Sequence, residues 1–451
     1  MNFFISRYQR YKDWLFKTYL NDGTRLLLIK SMIVWFSAFI TGCIAVAYAR
    51  MFHLVEDWQE WWFGKYPKLA LVVVPLLFVL AWQLVVRIAP GARGSGIPQL
   101  MASLDMANQN ERHLIKYMLS IRIIVVKFVS SMVMILSGAA CGREGPTLQI
   151  AGSVFKFIHD KLPAHWPKVS EKIMLMTGGA AGLAAAFNTP LGGIVFVVEE
   201  LSKVHLAKIR NFVFTGVIIA GLTAQWLNGS YLYLGFPRID NSGYKIFFLV
   251  ILVGFVVGTG AALMTRLIGQ IASIRKRIKN VKIEFLFVAF LGLCVAVMMV
   301  YFSKEGIGSG KVQMNALLFE GDKKGSIDMV LARFFAPVLS FTSGAATGIF
   351  APSLATGASI GGLVADLFNV TNGAFNLLVL AGMTGFLSGL TRSPFTSAIL
   401  VLEMTDRHSA IFHLMLAALV GYLAAYAIQR KGMYEKLKDD YIKKLKNQEL
   451  Q

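Results

Sequence analysis

Negative charge is scarce in this chain: 25 Asp and Glu stand against 45 Lys and Arg in 451 residues, a formal net charge of +20. Cysteine is rarer still. Cys43, Cys141 and Cys294 are unevenly spaced, and each lies in or at the edge of an apolar run, so neither a disulfide framework nor a metal site is implied. The seven histidines show no HExxH or other ligand spacing, and His53, His113, His159 and His205 read as loop or interface residues. The start of the chain, with Arg7, Arg10, Lys12 and Lys17 among aromatics, lacks an apolar core followed by a small-residue cleavage site, which excludes a signal peptide there. Residues 1–22 are instead expected to form an amphipathic helix on the cytoplasmic face of a membrane.

What is abundant is apolar sequence. Hydrophobic residues make up 56% of the chain and the mean hydropathy is +0.59, too apolar for a soluble enzyme of this length. Runs such as Leu26 to Tyr48, Leu69 to Ile88, Ile121 to Cys141, Phe247 to Ile268 and Ile411 to Ile428 approach the ~20 residues that span a bilayer. Others, such as Pro190 to Leu201 and Pro394 to Met404, are too short and begin at Gly or Pro, as broken helices around a buried site do. The chain therefore reads as an all-α polytopic membrane protein. Trp58, Trp61 and Trp62, beside Glu56, Asp57 and Glu60, read as an interfacial belt. Basic residues gather at Arg7 to Lys17, Arg112 to Lys127, Lys203 to Arg210, Arg275 to Lys282 and Arg430 to Lys446. In a membrane protein that surplus marks the inner side and puts both termini in the cytoplasm, so it implies no nucleic acid.

One stretch contradicts its surroundings. Gly142-Arg143-Glu144-Gly145-Pro146 follows an apolar run, and a carboxylate at mid-bilayer costs at least ~2.5 kcal/mol, which marks a functional site. The glycines break the incoming helix and Pro146 fits the first turn of a new one. The resulting half-helix end suits an anion, and Glu144 brings its own to the same place. A second copy of the pattern is present. Gly348-Ile349-Phe350-Ala351-Pro352 echoes the first motif, and Thr391-Arg-Ser-Pro394 echoes Phe187-Asn-Thr-Pro190. The paired prolines lie 44 and 42 residues apart, and Pro190 and Pro394 each stand nine residues before a glutamate, Glu199 and Glu403. Matching interruptions in two halves place a transporter's site between them.

Together with Gly94-Ser95-Gly96-Ile97-Pro98 and Tyr434, these motifs resemble the CLC family of chloride channels and chloride/proton antiporters, over roughly Arg25 to Tyr434. The resemblance implies a CLC-type fold of two inverted repeats, 23–229 and 230–430, with broken and tilted helices, followed by a short basic cytoplasmic tail, 431–451. It also implies a homodimer with one pathway per subunit, set in lipid, in a bacterial cytoplasmic membrane, without the regulatory domains of many eukaryotic relatives and without cofactors. The transported ions would be chloride and the proton, exchanged in opposite directions; a passive channel is the alternative. Ser95 and Tyr434 would offer hydroxyls to chloride, Ile349 and Phe350 their backbone N–H groups, and dipolar binding of this kind permits fast release. Serine at position 95 goes with chloride where proline goes with nitrate. Glu144 would be the gate and outer proton acceptor, and Glu200, the second of the pair Glu199-Glu200, the internal proton relay.

From local sequence alone Ser95 could simply cap a helix, Tyr434 anchor an interface, and Glu199 and Glu200 pair with nearby lysines. Neighbours on a helix differ by about 100°, so one of that pair faces a proton route while the other caps, pairs or meets solvent. Gln99 and Met101 stand where family members often carry acids, leaving less negative charge on the cytoplasmic proton route. Gly306-Ile-Gly-Ser-Gly-Lys311 is similar to a phosphate-binding loop, but Glu305 and Val312 break that pattern and a plain loop is expected. Gly254, Gly258 and Ala262 form a small-residue face for close helix packing. No nucleophile-base or metal motif points to an enzyme.

Overall fold

The computed structural model describes residues 22–107, 111–163, 165–201, 210–229, 232–240, 243–321, 323–370 and 372–449. The helix expected over 1–22 lies outside these apart from Asp22, as does His205. The described chain is helical, and its two isolated β-bridges are both at the site discussed below.

The first apolar run does not stop near Tyr48. Helix α1, Asp22–Lys65, continues for 44 residues, about 66 Å at 1.5 Å per residue, and carries the tryptophan cluster on its far end. Trp58 and Trp61 stay exposed, whereas Trp62 turns inward and donates to the Leu136 carbonyl at 3.2 Å. After a turn opened by Pro67, α2 (Ala70–Ile88) returns and stops before Pro90. The short α3 (Ile97–Met106) precedes α4 (Ile121–Leu136), which starts at a Ser120 cap whose Oγ accepts from the Ile123 amide at 3.4 Å. Then come α5 (Glu144–Lys161), α6 (Glu171–Phe187), α7 (Pro190–Phe196), which runs into a π-helical turn at Val197–Leu201, and α8 (Arg210–Asn228).

The second half repeats the plan with α9 (Tyr244–Arg277), α10 (Val281–Val297), α11 (Lys311–Phe319), α12 (Ile327–Thr342), α13 (Phe350–Leu367), α14 (Asn372–Thr391), α15 (Pro394–Thr405) and α16 (Ile411–Ile428). Helix α17 (Met433–Glu449) follows. The matched motifs fold alike. Two residues before the proline that opens α7 or α15, Asn188 (φ 58°) and Arg392 (φ 73°) both adopt the left-handed conformation. Asparagine accepts that geometry readily. For Arg392 the strain is offset by guanidinium bonds to the carbonyls of Gly389, Ala425 and Gln429.

Among the described residues, seven helical stretches are long and apolar enough to cross a membrane, including Gly23–Lys65, Tyr244–Arg277, Asn372–Thr391 and His408–Ile428. Neither α5 nor α13 is one of them: α5 carries four charged residues, α13 is rich in Gly, Ser and Thr, and both are surrounded by protein along most of their length. The small-residue face on α9 packs as expected: a methyl group on Gly258 would sit 2.3 Å from the Gly421 carbonyl oxygen, so α9 and α16 touch backbone to backbone.

The termini of these helices define two faces. Lys276, at the end of α9, pairs with Asp440 of α17 at 2.7 Å, and α10 leaves from the same side. One span later, residues 303–310 and the far end of α1 therefore lie on the opposite face. Two sequence expectations need correction. His53 and His159 lie within α1 and α5 rather than in loops, His159 being buried and bonded to the Val169 carbonyl. Lys127 is no part of a basic rim: it is fully buried in α4, with Nζ on the carbonyls of Ala92 and Gly94 at 2.8 and 2.7 Å.

Candidate functional site

Two helix starts converge in the protein interior. The Gly142 amide donates to the Gly348 carbonyl at 2.8 Å, and the two motifs cross so closely that a methyl on Gly348 would lie 2.2 Å from the Gly142 oxygen. Only glycine permits that approach at both positions. In each helix proline is the third residue, Pro146 in α5 and Pro352 in α13, and the next amide closes the first bond: Thr147 to Arg143 O at 2.9 Å, Ser353 to Ile349 O at 3.0 Å. That leaves the amides of Glu144 and Gly145 in one helix, and of Phe350 and Ala351 in the other, without partners in their own helices. The Ile349 and Phe350 side chains are core, the Phe350 ring meeting Phe187 at a tilt of 47° with centroids 5.3 Å apart, so only their backbone is available to an ion.

Glu144 begins α5 and is 1% exposed. Its carboxylate folds back over Gly142: a methyl there would meet Glu144 Oε2 at 2.3 Å, Ala351 Cβ at 3.1 Å and Pro352 Cδ at 3.2 Å. The carboxylate thus lies between the two helix starts, with neither oxygen in a hydrogen bond of normal geometry. Arg143 is buried beside it and keeps Nη1 without a partner, so the two neighbours do not form a closed ion pair.

Ser95 approaches from the α3 side. Gly96, at φ 103°, is the residue that caps α3, and no side chain performs that role. The capping expectation for Ser95 is not realised. Its Oγ packs instead against α5, 2.1 Å from where a methyl on Gly145 would be, so the second glycine of the motif exists to admit this hydroxyl. Tyr434, at the head of α17, is fully buried with its hydroxyl next to Ser95. Neither hydroxyl makes a protein hydrogen bond of normal geometry, although the two lie close enough to interact with each other. The loop that carries Ser95 is pinned on its other side: Lys127 holds the Ala92 and Gly94 carbonyls, and the Gln149 amide donates to Gly91 O at 2.9 Å. Gly94 itself bonds across to Ala345 O at 2.9 Å. Pro98 supplies the first turn of α3. The sequence reading missed Lys127 and Gln149 as positioning residues. The available signal was a lysine inside an apolar run, which has to find carbonyls or a counter-charge.

Glu199 and Glu200 divide their roles within the π-helical turn. Glu199 accepts from the amides of Phe395 and Thr396 at 3.1 and 2.6 Å, capping α15, and Glu403 of α15 accepts from Leu191 and Gly192 at 3.0 and 2.6 Å, capping α7. Each half closes the helix of the other. Glu200 takes a different direction, accepting from Ser393 Oγ, and lies within electrostatic reach of Glu435, Lys438 and Tyr434.

On the α17 face a vestibule of about 570 Å³ reaches Ser95, lined by Arg93, Gln99, Lys276, Tyr441 and Lys444 among others. Helix α17 forms its wall through Tyr441 to Arg93 O at 3.0 Å and Lys438 to Asp105 at 2.7 Å. A polytopic helical protein with a basic vestibule ending at buried hydroxyls and two facing helix starts has the architecture of an anion transport protein. The voltage gated chloride channel family model matches residues 77–426, and the chain belongs to that family. It is similar to the H(+)/Cl(-) exchange transporter ClcA of Klebsiella pneumoniae subsp. pneumoniae, 30% identical over 88% of this chain and 85% of that one. It is similarly close to ClcA of Vibrio cholerae serotype O1, 30% identical over 91% and 89%. Its fold matches a slow cyanobacterial Cl-/H+ antiporter (TM-score 0.80, 21% identity, 92% of this chain and 98% of that one). It also matches a CLC-type fluoride/proton antiporter (TM-score 0.74, 18% identity, 88% and 95%).

Proposed function

We propose that this chain exchanges chloride for protons across a bacterial cytoplasmic membrane, as a lipid-embedded homodimer with one pathway in each subunit and both termini in the cytoplasm. Its two repeats, 23–229 and 230–430, are inverted relative to each other, and the anion site lies between them. Chloride is held by the hydroxyls of Ser95 and Tyr434 and the amides of Ile349 and Phe350. Glu144 is the gate: ionised, its carboxylate occupies the anion position at the helix starts; protonated, it loses that attraction and leaves. Glu200 passes protons to and from the cytoplasm. Exchange is preferred to passive conduction because the curated relatives carry exchanger names and because Glu200 is present.

One observation carries the reading. The Ser95 hydroxyl, the Tyr434 hydroxyl and both Glu144 carboxylate oxygens are buried in one region without a protein hydrogen bond of normal geometry, the carboxylate lying near the amides of Glu144 and Ala351 and the two hydroxyls near each other. Each such group costs roughly 1–3 kcal/mol unless a ligand completes it, and an anion able to displace the carboxylate completes the hydroxyls and the free amides together. The test is the reversal potential of purified protein in liposomes under opposed chloride and proton gradients. A potential displaced by the proton gradient supports exchange; one that follows chloride alone overturns it in favour of a channel.

A further inference from the structure

The glycine-rich segment Gly306–Lys311 holds an anion after all, and that anion belongs to the protein. Glu56, on the far end of α1, has Oε1 on the Ser309 amide at 3.1 Å and on Ser309 Oγ at 3.0 Å. Gly308, at φ 65°, leaves no room for a side chain, since a methyl there would lie 2.7 Å from the same Glu56 oxygen. A carboxylate is thereby fixed on the face opposite α17, at a cavity of about 280 Å³.

That cavity is lined by polar groups lacking partners. Gln59, 1% exposed, has neither Nε2 nor Oε1 in a hydrogen bond, and Gln313 Oε1 and Arg333 Nε are likewise free. The Gln59 amide is the informative one. A bound anion would satisfy its N–H and leave its carbonyl bare, a cation the reverse, whereas water donates and accepts and satisfies both. Water takes roughly 30 Å³ in the liquid, so the cavity has room for several molecules. The charged groups around Glu56 are His53, Asp57 and Glu60 on its own helix, and Lys304, Glu305 and Arg333 across the cavity. Towards the site they are Lys311, Cys141, Arg143 and Glu144, all within electrostatic reach of Glu56 or of one another. Arg143, whose Nη1 is also unpartnered, lies within electrostatic reach of both Lys311 and Glu144.

We infer that Glu56 and the water held by Gln59 form the outer proton relay, carrying protons between solution and Glu144; this rests on the exchange reading above. In the inward step the Glu56 O–H bond breaks, a proton passes along the water, and an O–H bond forms on Glu144. Protonated Glu56 and ionised Glu144 become ionised Glu56 and protonated Glu144, with no electron transferred. Chloride takes no part in the step, and the Ser309 cradle holds Glu56 in place through it.

Glu56→Gln keeps an acceptor for Ser309 and cannot carry the proton. In proteoliposomes with equal pH on both sides, its exchange rate should fall roughly tenfold at about pH 7.5. That loss is below the 10²–10⁴ of a positioned acid because solvent still reaches Glu144 by slower routes. Near pH 4.5, where protons are plentiful, the deficit should close, with the proton-to-chloride ratio unchanged throughout. Gln59→Met, similar in volume but without partners for water, should show the same pH-dependent loss, and it decides the matter if Glu56→Gln does not reconstitute. A loss of equal size at every pH means that Glu56 is only structural; no loss in either variant removes the relay. Wild-type vesicles in which chloride moves without any proton response overturn the exchange reading and the relay with it. Wild-type coupling beside pH-independent variants overturns the relay alone.

Discussion

Tyr434 occupies the most informative single position in the molecule. A tyrosine just beyond a last span ordinarily sits at the headgroup level with its hydroxyl wet, yet this one is 0% exposed and its hydroxyl makes no hydrogen bond of normal geometry. Removing that hydroxyl alone, by Tyr434→Phe, keeps the packing of the ring and deletes one donor. Hydrogen bonds to a charged group are worth roughly 1.5–3 kcal/mol, so chloride affinity measured by calorimetric titration should weaken about tenfold or more. An affinity equal to wild type would mean that the hydroxyl faces no ion. Ser95→Pro should act on selectivity instead, raising nitrate use relative to chloride in flux assays, because losing a donor penalises the smaller and more strongly hydrated anion. Unchanged selectivity would leave Ser95 as a packing residue against Gly145. The motif residues were legible because glycine, proline and one acid interrupt apolar sequence locally. Lys127 was not: the sequence counted it with the basic residues that mark the inner side, and only the folded loop shows which carbonyls it holds.

At the scale of helices, the reciprocal capping of α7 and α15 gives the two halves a shared boundary. Glu199 satisfies the amides of Phe395 and Thr396, and Glu403 those of Leu191 and Gly192, so neither helix start is complete without the other half. The nine-residue spacing from proline to glutamate was visible in the sequence, but the exchange of partners was not, because it depends on where the two halves meet. Losing a helix cap costs about 0.5–2 kcal/mol. Glu199→Ala and Glu403→Ala should therefore each lower the thermal unfolding midpoint in detergent by similar amounts, and neither should uncouple protons from chloride. If Glu403→Ala leaves the midpoint unmoved while Glu199→Ala abolishes proton transport, the symmetric capping role is wrong and Glu199 belongs to the proton route. Chain order hid one further element. The basic tail reads as a solvated run, yet α17 packs on α3 through Lys438 and Asp105 and walls the vestibule, because its lysines find partners and Tyr441 reaches the Arg93 carbonyl.

Across the whole molecule, the basic vestibule on one face ends at Ser95, and a polar cavity with room for several waters opens beside Glu56 on the other. Chloride and proton can then share one carboxyl while using different routes on the α17 face, where Ser95 ends the vestibule and Glu200 stands apart beside Glu435 and Lys438. This separation predicts that the two glutamates fail differently. In Glu144→Gln the amide cannot ionise and brings no charge into the anion path. Chloride should then move without driving protons, and its flux should lose most of its response to pH. In Glu200→Gln proton movement should also stop, but Glu144 still ionises, so the path still closes as pH rises and reopens as pH falls. The discriminating measurement is chloride flux against pH in the two variants, recorded alongside proton flux. A flat profile for Glu144→Gln with a retained slope for Glu200→Gln is the expected pair. A flat profile in both would mean that Glu200 controls the gate rather than the proton route. If proton movement survives Glu200→Gln and is lost in Glu199→Gln, the relay runs through the other member of the pair.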